Sequence, residues 1–213
     1  MLQRRANEDR GGMAGCAAAN RADPRRRVLM VWLLPILAVL LSAILAGTLR
    51  VALAQSQAGE YHVKAAFLFH FVQLVEWPAG EPGNVGDALT LCMLGEDPFR
   101  GDLEVTLAGK SVGSRPLRVR HLKPAESFEG CQVLFVGRHE AARLSRVLLE
   151  LKDGPILTVG ESDGFVEQGG MIGFCLVENK VRFEINVQAA EQAKLRISSR
   201  LLLLAKTVIG NRE

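Results

Sequence analysis

Residues 169–187 read GGMIGFCLVENKVRFEINV and carry the clearest β-hairpin pattern of the chain. The second half alternates between apolar and polar side chains, as a strand with one buried face requires. Its apolar positions are Val181, Phe183, Ile185 and Val187, and its polar positions are Arg182, Glu184 and Asn186. The first half, Met171–Val177, is apolar on both faces, which predicts a strand buried inside a sheet. We expect a tight turn at residues 178–180, because Asn179 tolerates the left-handed backbone conformation.

The polar positions of this hairpin allow two interpretations. In the first, they form the solvated face of a hairpin whose other face is core. In the second, Arg182, Glu184 and Asn186 form a polar patch that contacts a ligand or a partner.

Outward from the hairpin, short apolar strands alternate with amphipathic helical segments. Strands are predicted at residues 89–95, 116–122, 131–137 and 155–160. Helices are predicted at residues 60–77, 97–107, 139–153, 188–195 and 198–210. Such alternation is typical of α/β proteins. We therefore expect a single three-layer α/β domain: a mixed sheet with helices on both faces and a C-terminal β-hairpin followed by helices.

The first predicted helix has a broad apolar face and ends before Pro78, because the residue before a proline avoids the helical region. The predicted face consists of Val63, Ala66, Phe67, His70, Phe71, Leu74 and Val75. On such a face, His70 is expected to be a packed, hydrogen-bonded residue rather than a ligand. Trp77 at the helix end can either cover the core as a lid or project as an interaction residue.

The N-terminal part of the chain has the pattern of a secretory signal peptide. Arg25–Arg27 precede the uncharged apolar run Val28–Ala46, and Ala52-Leu53-Ala54 has the small-residue form of a cleavage site. The alternative is an uncleaved membrane anchor, because a bilayer-spanning helix needs about 20 apolar residues. We expect residues 1–54 to be an extension and signal peptide, residues 55–59 to be a linker, and residues 60–213 to form the domain.

The net charge of +3 comes from this leader. Residues 1–54 hold 8 of the 26 Lys and Arg and 3 of the 23 Asp and Glu, which leaves 18 basic and 20 acidic residues and a net charge of −2. The exported domain is therefore close to neutral, and its charge gives no reason to expect a nucleic-acid partner.

Three cysteines follow the predicted cleavage site: Cys92, Cys131 and Cys175. None is spaced as C-x-x-C, so neither a thioredoxin-like site nor a zinc ribbon is indicated. In an oxidising compartment two of them should pair. If the strands that carry Cys92 and Cys131 are neighbours, these two sulfurs could meet. Cys175 is then most simply a buried free thiol in the middle of an apolar strand.

Catalytic motifs are missing from the sequence: it contains no G-x-S-x-G elbow, P-loop, G-x-G-x-x-G after a strand, or H-E-x-x-H. The four histidines are scattered without metal-ligand spacing. Glu161, Asp163 and Glu167 follow the strand at 155–160, where α/β sheets place ligands. They can form a site or can simply be solvated. We expect no enzyme, no metal and no cofactor.

Several blocks, taken in order, resemble the YfiR family of periplasmic regulators. These blocks are EYHVKAAFLFHFVQLVEWP, LTLCMLGEDPF, CQVLFV, ILTVGESDGF, GGMIGFCLVENKVRFEINVQAA and LRISSRLLLLAKTV. The resemblance implies a periplasmic homodimer, stapled by disulfides, that binds the sensor region of an inner-membrane diguanylate cyclase and represses it. It also implies sequestration by an OmpA-like outer-membrane lipoprotein, so that cyclic-di-GMP and biofilm formation rise. Cys92 and Cys131 fall in the matching strands, and Cys175 has no mate for a second bridge.

Two function classes remain open. The resemblance favours a regulator that acts by protein–protein contact and has no turnover of its own. Its candidate contacts are Trp77 first, because tryptophan is enriched at interface hot spots, and then Arg182, Glu184 and Asn186. The alternative is a periplasmic small-molecule binding domain that uses the strand ends, with Glu161 and Asp163 among its residues.

Overall fold

The computed structural model describes residues 57–78, 88–123, 125–151 and 154–210. Contacts divide the chain into Met1–Val51 and Ala52–Glu213, and every described residue belongs to the second unit. The predicted signal peptide and its cleavage after Ala54 lie outside the described residues, whereas residues 57–59 of the predicted linker are helical. Among the described residues, no helix combines the length and the hydropathy that crossing a bilayer demands.

Helices and strands alternate along most of this part of the chain. The helices are α1 (57–74), α2 (Asp102–Leu107), α3 (Leu144–Leu151), α4 (Val187–Gln192) and α5 (Ser199–Leu204), and a 3-10 helix at Arg138–Arg143 leads into α3. The strands are β1 (Val75–Glu76), β2 (Leu89–Leu94), β3 (Ser111–Val112), β4 (Arg115–Leu122), β5 (Val133–Val136), β6 (Leu157–Gly160), β7 (Ile172–Val177), β8 (Lys180–Asn186), β9 (Arg196–Ile197) and β10 (Thr207–Ile209).

Eight of these strands form one mixed sheet in the order β10-β8-β7-β6-β5-β2-β4-β3. The neighbours from β4 through β2, β5 and β6 to β7 are parallel, β7 and β8 form the antiparallel hairpin, and β10 adds parallel to β8. A small second sheet pairs β1 with β9. The predicted mixed sheet is therefore confirmed.

Side chains of the central strands alternate between two hydrophobic clusters, one on each face of the sheet. Met93 and Phe135 lie in the larger cluster, which α1, α2, α4 and α5 cover. Leu94 and Leu134 lie in the smaller cluster, which α3 covers. Helices on both faces make the three predicted layers.

The hairpin is present, but its first strand is less buried than predicted. Glu178 and Asn179 both have positive φ angles, 50° and 58°, and make the tight turn. Only the first two residues of β7 pair with β6, so the rest of β7 extends past that neighbour with β8 alone at its side. The prediction of burial up to Val177 is therefore wrong at the end of the strand, where Leu176 is 50% and Val177 36% exposed.

The stripe that helix α1 buries only partly matches the predicted one, with which it shares Phe71. Its buried side chains are Lys64, Ala65, Leu68, Phe71 and Val72. His70 is exposed, and its Nδ1 lies 3.3 Å from the Gln73 amide oxygen, so its predicted place in the core is wrong. Apolar residues surround much of this helix, and contact with the sheet decides which of them face inward.

Other predicted helix boundaries also differ. The first helix is predicted to continue up to Pro78, but α1 ends at Leu74, because Val75–Glu76 pair with β9 as a strand. The helix predicted at 139–153 begins as a 3-10 helix, and α3 starts at Leu144. The α2 helix begins at Asp102, because Asp97 instead accepts hydrogen bonds from the backbone N–H groups of Phe99 and Gly101 in the preceding turn. The last helix ends at Leu204. The β-branched residues after it form β10, which completes the edge of the sheet beside β8.

Candidate functional site

The order of the strands creates a switch point between β2 and β5. From β2 the chain passes through α2 to β4 on one side of β2, and it then crosses back to β5 on the other side. After β2 the chain therefore continues toward β4, and after β5 it continues in the opposite direction, toward β6. In open α/β sheets, ligands bind in the crevice outside such strand ends.

A cleft of about 750 Å³ opens at this point, and we name it the strand-end cleft. Asp97 lines it from the turn after β2, Arg138 from the segment after β5, and Glu161 from the segment after β6. Tyr61 from α1 and Leu176 from β7 complete its walls. The cleft therefore combines charged, aromatic and aliphatic surface, as small-molecule sites do.

Glu161, which lines the strand-end cleft, belongs to a buried ion pair. Nζ of Lys64 is 2.6 Å from Oε2 of Glu161, and the two side chains are only 3% and 2% exposed. Glu161 also accepts hydrogen bonds from the Tyr61 hydroxyl at 3.1 Å and from the Arg138 backbone N–H at 3.3 Å. Nζ of Lys64 has a second carboxylate partner, Glu60, at 2.5 Å. Both buried charges are thus paired, as burial requires.

The phenol of Tyr61 is held in its neutral form. Burial raises its pKa well above the ordinary value, and the negative charges of Glu161 and then Glu60 raise it further. Tyr61 therefore remains an O–H donor to Glu161. With three donors on its oxygens, Glu161 acts as a structural link between α1 and the strand ends rather than as a free general base.

A second depression, the Trp77 groove, has a volume of about 700 Å³ and is lined by Trp77, Phe128, Cys131, Val147 and Ile156, among others. Trp77 is half-buried and packs against the larger hydrophobic cluster, which agrees with the predicted lid. Its indole Nε1 is buried and has no hydrogen-bond partner among the described residues.

The polar face of β8 is only partly available for binding. Arg182 is exposed and lies opposite Cys175. Glu184 accepts a hydrogen bond from Nζ of Lys206 at 2.9 Å. Asn186 is occupied by local structure, because its oxygen caps α4 and its amide nitrogen donates to the backbone of the 161–170 loop. The structure thus keeps Arg182 and Glu184 as candidates and gives Asn186 a structural role.

The acidic residues of the 161–170 loop do not form one cluster. Glu161 is buried, whereas Asp163 and Glu167 are exposed. The loop is folded around Phe165, whose ring lies so close to Gly160 and Gly170 that a Cβ at either glycine would be within 2.2 Å of it. The two glycines are therefore needed for packing.

The predicted disulfide joins Cys92 and Cys131, with Cα atoms 5.7 Å apart. The predicted pairing required the strands that carry the two cysteines to be neighbours. They are, because β2 and β5 are adjacent parallel strands and Cys131 lies just before β5. Both cysteines are buried in the smaller hydrophobic cluster. Cys175 is a free thiol, as predicted, but it is only half-buried.

Sequence reasoning missed Lys64 and Tyr61 as partners of Glu161. A signal was present, since Lys64 interrupts a helix face that is otherwise apolar. A buried lysine requires a carboxylate, yet nothing local indicates that the carboxylate lies 97 positions away.

These features define an α/β domain with an internal disulfide, a strand-end cleft and a groove beside Trp77. The sequence profile of the YfiR/HmsC-like family matches residues 61–206, and the chain belongs to that family. The family consists of periplasmic regulatory proteins rather than enzymes. The coarse prediction of a periplasmic regulator is therefore supported.

Comparison with solved structures finds the crystal structure of a conserved domain protein from Vibrio cholerae O1 biovar El Tor. The two chains share 12% identity with a TM-score of 0.44, and the match covers 56% of this chain. It covers 54% of the other chain, so this protein matches about half the length of that structure. A search of curated proteins returned no match.

Proposed function

We propose that this protein is exported to the periplasm, binds the sensor region of an inner-membrane diguanylate cyclase and lowers cyclic-di-GMP synthesis. The observation that carries the proposal is the match of residues 61–206 to a family of periplasmic regulators. The disulfide between Cys92 and Cys131 supports it, because structural disulfides persist in oxidising compartments.

The mechanism would be a shift in the conformational population of the cyclase. A repressor holds an enzyme inactive only if it binds the inactive conformation more tightly than the active one. A tenfold shift requires about 1.4 kcal/mol of differential affinity. A single well-placed aromatic anchor is sufficient for that difference.

The Trp77 groove is the surface that we propose for contact with the cyclase. Trp77 is half-buried and lines the groove, and tryptophan is enriched at interface hot spots. We propose Arg182 and Glu184 as secondary contacts, because they lie on the same face of β8. The exposed end of β7, Leu176 and Val177, adds apolar surface to the hairpin.

Release of the cyclase would require a competitor for the repressor. We propose that an OmpA-like outer-membrane lipoprotein sequesters this protein, and that the free repressor is a homodimer. Co-purification from the periplasm and light scattering of the pure protein test these two points separately.

The central experiment is deletion of the gene in a strain that has a diguanylate cyclase with a periplasmic sensor. Cyclic-di-GMP should rise, and the rise should vanish when the cyclase is inactivated at its active site. Complementation with the full-length gene should restore the low level. An unchanged cyclic-di-GMP level after deletion would contradict the proposal.

A second function is favoured by the strand-end cleft, which lies at the switch point of the sheet. There the domain would bind a small polar molecule, with or without a regulatory partner. Arg138 and Asp97 would contact the ligand, while Glu161 and Asp163 would support and flank the site. A thermal-shift screen of periplasmic metabolites tests this, with Arg138→Ala as the variant that should lose the response.

A further inference from the structure

Three metal-ligating side chains from separate elements meet beside β4. Asp97 follows β2, Glu104 lies in α2, and His121 lies near the end of β4, opposite Met93. One ligand atom from each of the three acidic or imidazole groups lies within 4.8 Å of the others. Two atoms that bind one Zn²⁺ ion at about 2.0–2.2 Å lie at most about 4.4 Å apart, so small side-chain rotations would bring all three atoms within reach of one ion.

The three groups are held in place by the fold. Both oxygens of Asp97 accept backbone N–H groups, from Phe99 at 2.8 Å and Gly101 at 3.1 Å. Nε2 of His121 lies 2.6 Å from Oε1 of Glu104. Asp97 lies in the turn after β2, His121 lies near the end of the adjacent parallel strand β4, and Glu104 comes from α2, between these strands in the sequence.

One atom of the cluster has no partner. Oε2 of Glu104 is buried and has no hydrogen-bond partner among the described residues, although the side chain as a whole is 40% exposed. A simple ion pair between Glu104 and His121 accounts for Oε1 but leaves Oε2 unsatisfied. A buried carboxylate oxygen without a donor is unfavourable, and a bound cation satisfies it.

We propose that Asp97, Glu104 and His121 bind one divalent first-row transition-metal ion, with Zn²⁺ as the first choice. Two carboxylates and one imidazole suit Zn²⁺, Co²⁺ or Mn²⁺, whereas Mg²⁺ and Ca²⁺ prefer sites made only of oxygen ligands. Three protein ligands leave a coordination position for water or for a group from another molecule. The proposal is independent of the cyclase interaction.

The site would tie α2 to the carboxyl ends of β2 and β4. Binding should therefore raise the Tm as well as produce a metal signal, because an ion that binds only the folded state stabilises it. The linear spacing of the ligands, at positions 97, 104 and 121, matches no familiar metal motif, which explains why the sequence predicts no metal.

The test is titration of the chelator-treated protein, recovered from the periplasm, with Co²⁺ and Zn²⁺. We expect visible d–d absorption that saturates at one Co²⁺ per chain, displacement of Co²⁺ by Zn²⁺, and no displacement by Mg²⁺. His121→Asn and Glu104→Gln should each weaken binding at least tenfold. Circular dichroism confirms that each variant is folded.

The matched control is His70→Asn, because His70 is an exposed histidine with Gln73 rather than carboxylates beside it. This variant should bind Co²⁺ with unchanged affinity. Absence of saturable Co²⁺ absorption in the folded protein overturns the proposal. Unchanged affinity in a folded His121→Asn variant overturns it equally, because the ion would then be held elsewhere.

Discussion

Nζ of Lys64 in α1 lies 2.6 Å from Oε2 of Glu161, and both side chains are almost fully buried. The two residues are 97 positions apart. Their contact links the first helix to the carboxyl ends of the parallel strands, and Glu161 also lines the strand-end cleft. Loss of one partner leaves an uncompensated charge inside the protein.

We expect Lys64→Met to lower the free energy of unfolding by about 3 kcal/mol, because Glu161 then stays buried without a cation. Glu161→Gln should lower the free energy of unfolding by a smaller amount, because Lys64 retains Glu60 as a partner. Urea denaturation measures both values. The control is Glu150→Gln, which breaks an exposed pair with Arg146 and should cost under about 1 kcal/mol. Equal losses of unfolding free energy in Lys64→Met and Glu150→Gln would show that the buried pair of Lys64 and Glu161 does not stabilise the fold.

The disulfide is expected to contribute about 2–4 kcal/mol, because it closes a long loop, with its cysteines 39 positions apart. Cys92→Ser should lower the urea midpoint accordingly and leave Cys131 free to form wrong bridges. Non-reducing peptide mapping of the wild type should find the Cys92–Cys131 pair and a free thiol at Cys175. Cys175→Ser serves as the control and should leave the midpoint nearly unchanged. A major species with Cys175 in a bridge would show that the pairing is wrong.

Cys175 is expected to react slowly with thiol reagents at pH 8. Partial burial raises its pKa, and the carboxylate of Glu184 raises it further, so less thiolate is present than in a free cysteine. Glu184→Gln removes that negative charge and should lower the pKa, which increases the thiolate fraction and the rate of reaction. Glu191→Gln, an exposed acid on α4, should leave the rate unchanged. A slower reaction of Cys175 in the Glu184→Gln variant would contradict the predicted fall in its pKa.

Export with cleavage after Ala54 is expected from the arginine cluster, the apolar run and the A-x-A end of the leader. Protein recovered from the periplasm should begin at Gln55, as N-terminal sequencing or intact mass determines. Replacing Ala52 and Ala54 by bulky residues should retain the precursor in the membrane. A full-length membrane-bound product from the wild-type gene would support the uncleaved anchor instead.

Trp77→Ala is expected to reproduce part of the rise in cyclic-di-GMP that deletion causes. Truncation of a hot-spot tryptophan costs about 2 kcal/mol or more, which weakens the Kd for the cyclase sensor roughly thirtyfold. Leu149→Ala is the matched control, because Leu149 is an apolar side chain on α3 that is 69% exposed. A folded Trp77→Ala protein that represses normally would exclude Trp77 as the anchor and leave the regulator proposal standing.

Local pattern was sufficient for the class of the fold and for its long strands, but it missed the short strands β1, β3, β9 and β10. Period-2 alternation at residues 180–186 and the apolar runs of β5 and β6 report directly on burial, because side-chain periodicity follows backbone geometry. The pairing of Cys92 with Cys131 could also be anticipated, since it needed only two adjacent strands. Local pattern was weaker where apolar residues surround a helix, which is why Ala65 rather than His70 faces the core.

The contacts between distant residues were decided by tertiary structure alone. Strand order brings Tyr61 to Glu161, 100 positions away, and gathers Asp97, Glu104 and His121 into one cluster. It also leaves the end of β7 without a second neighbour, so Leu176 is exposed in spite of its apolar character. Such contacts depend on which strands are adjacent and on how each helix is rotated against the sheet. The hydrophobic period of a single segment determines neither the strand neighbours nor the rotation of a helix. It reports only whether a side chain is buried and not which residue it contacts.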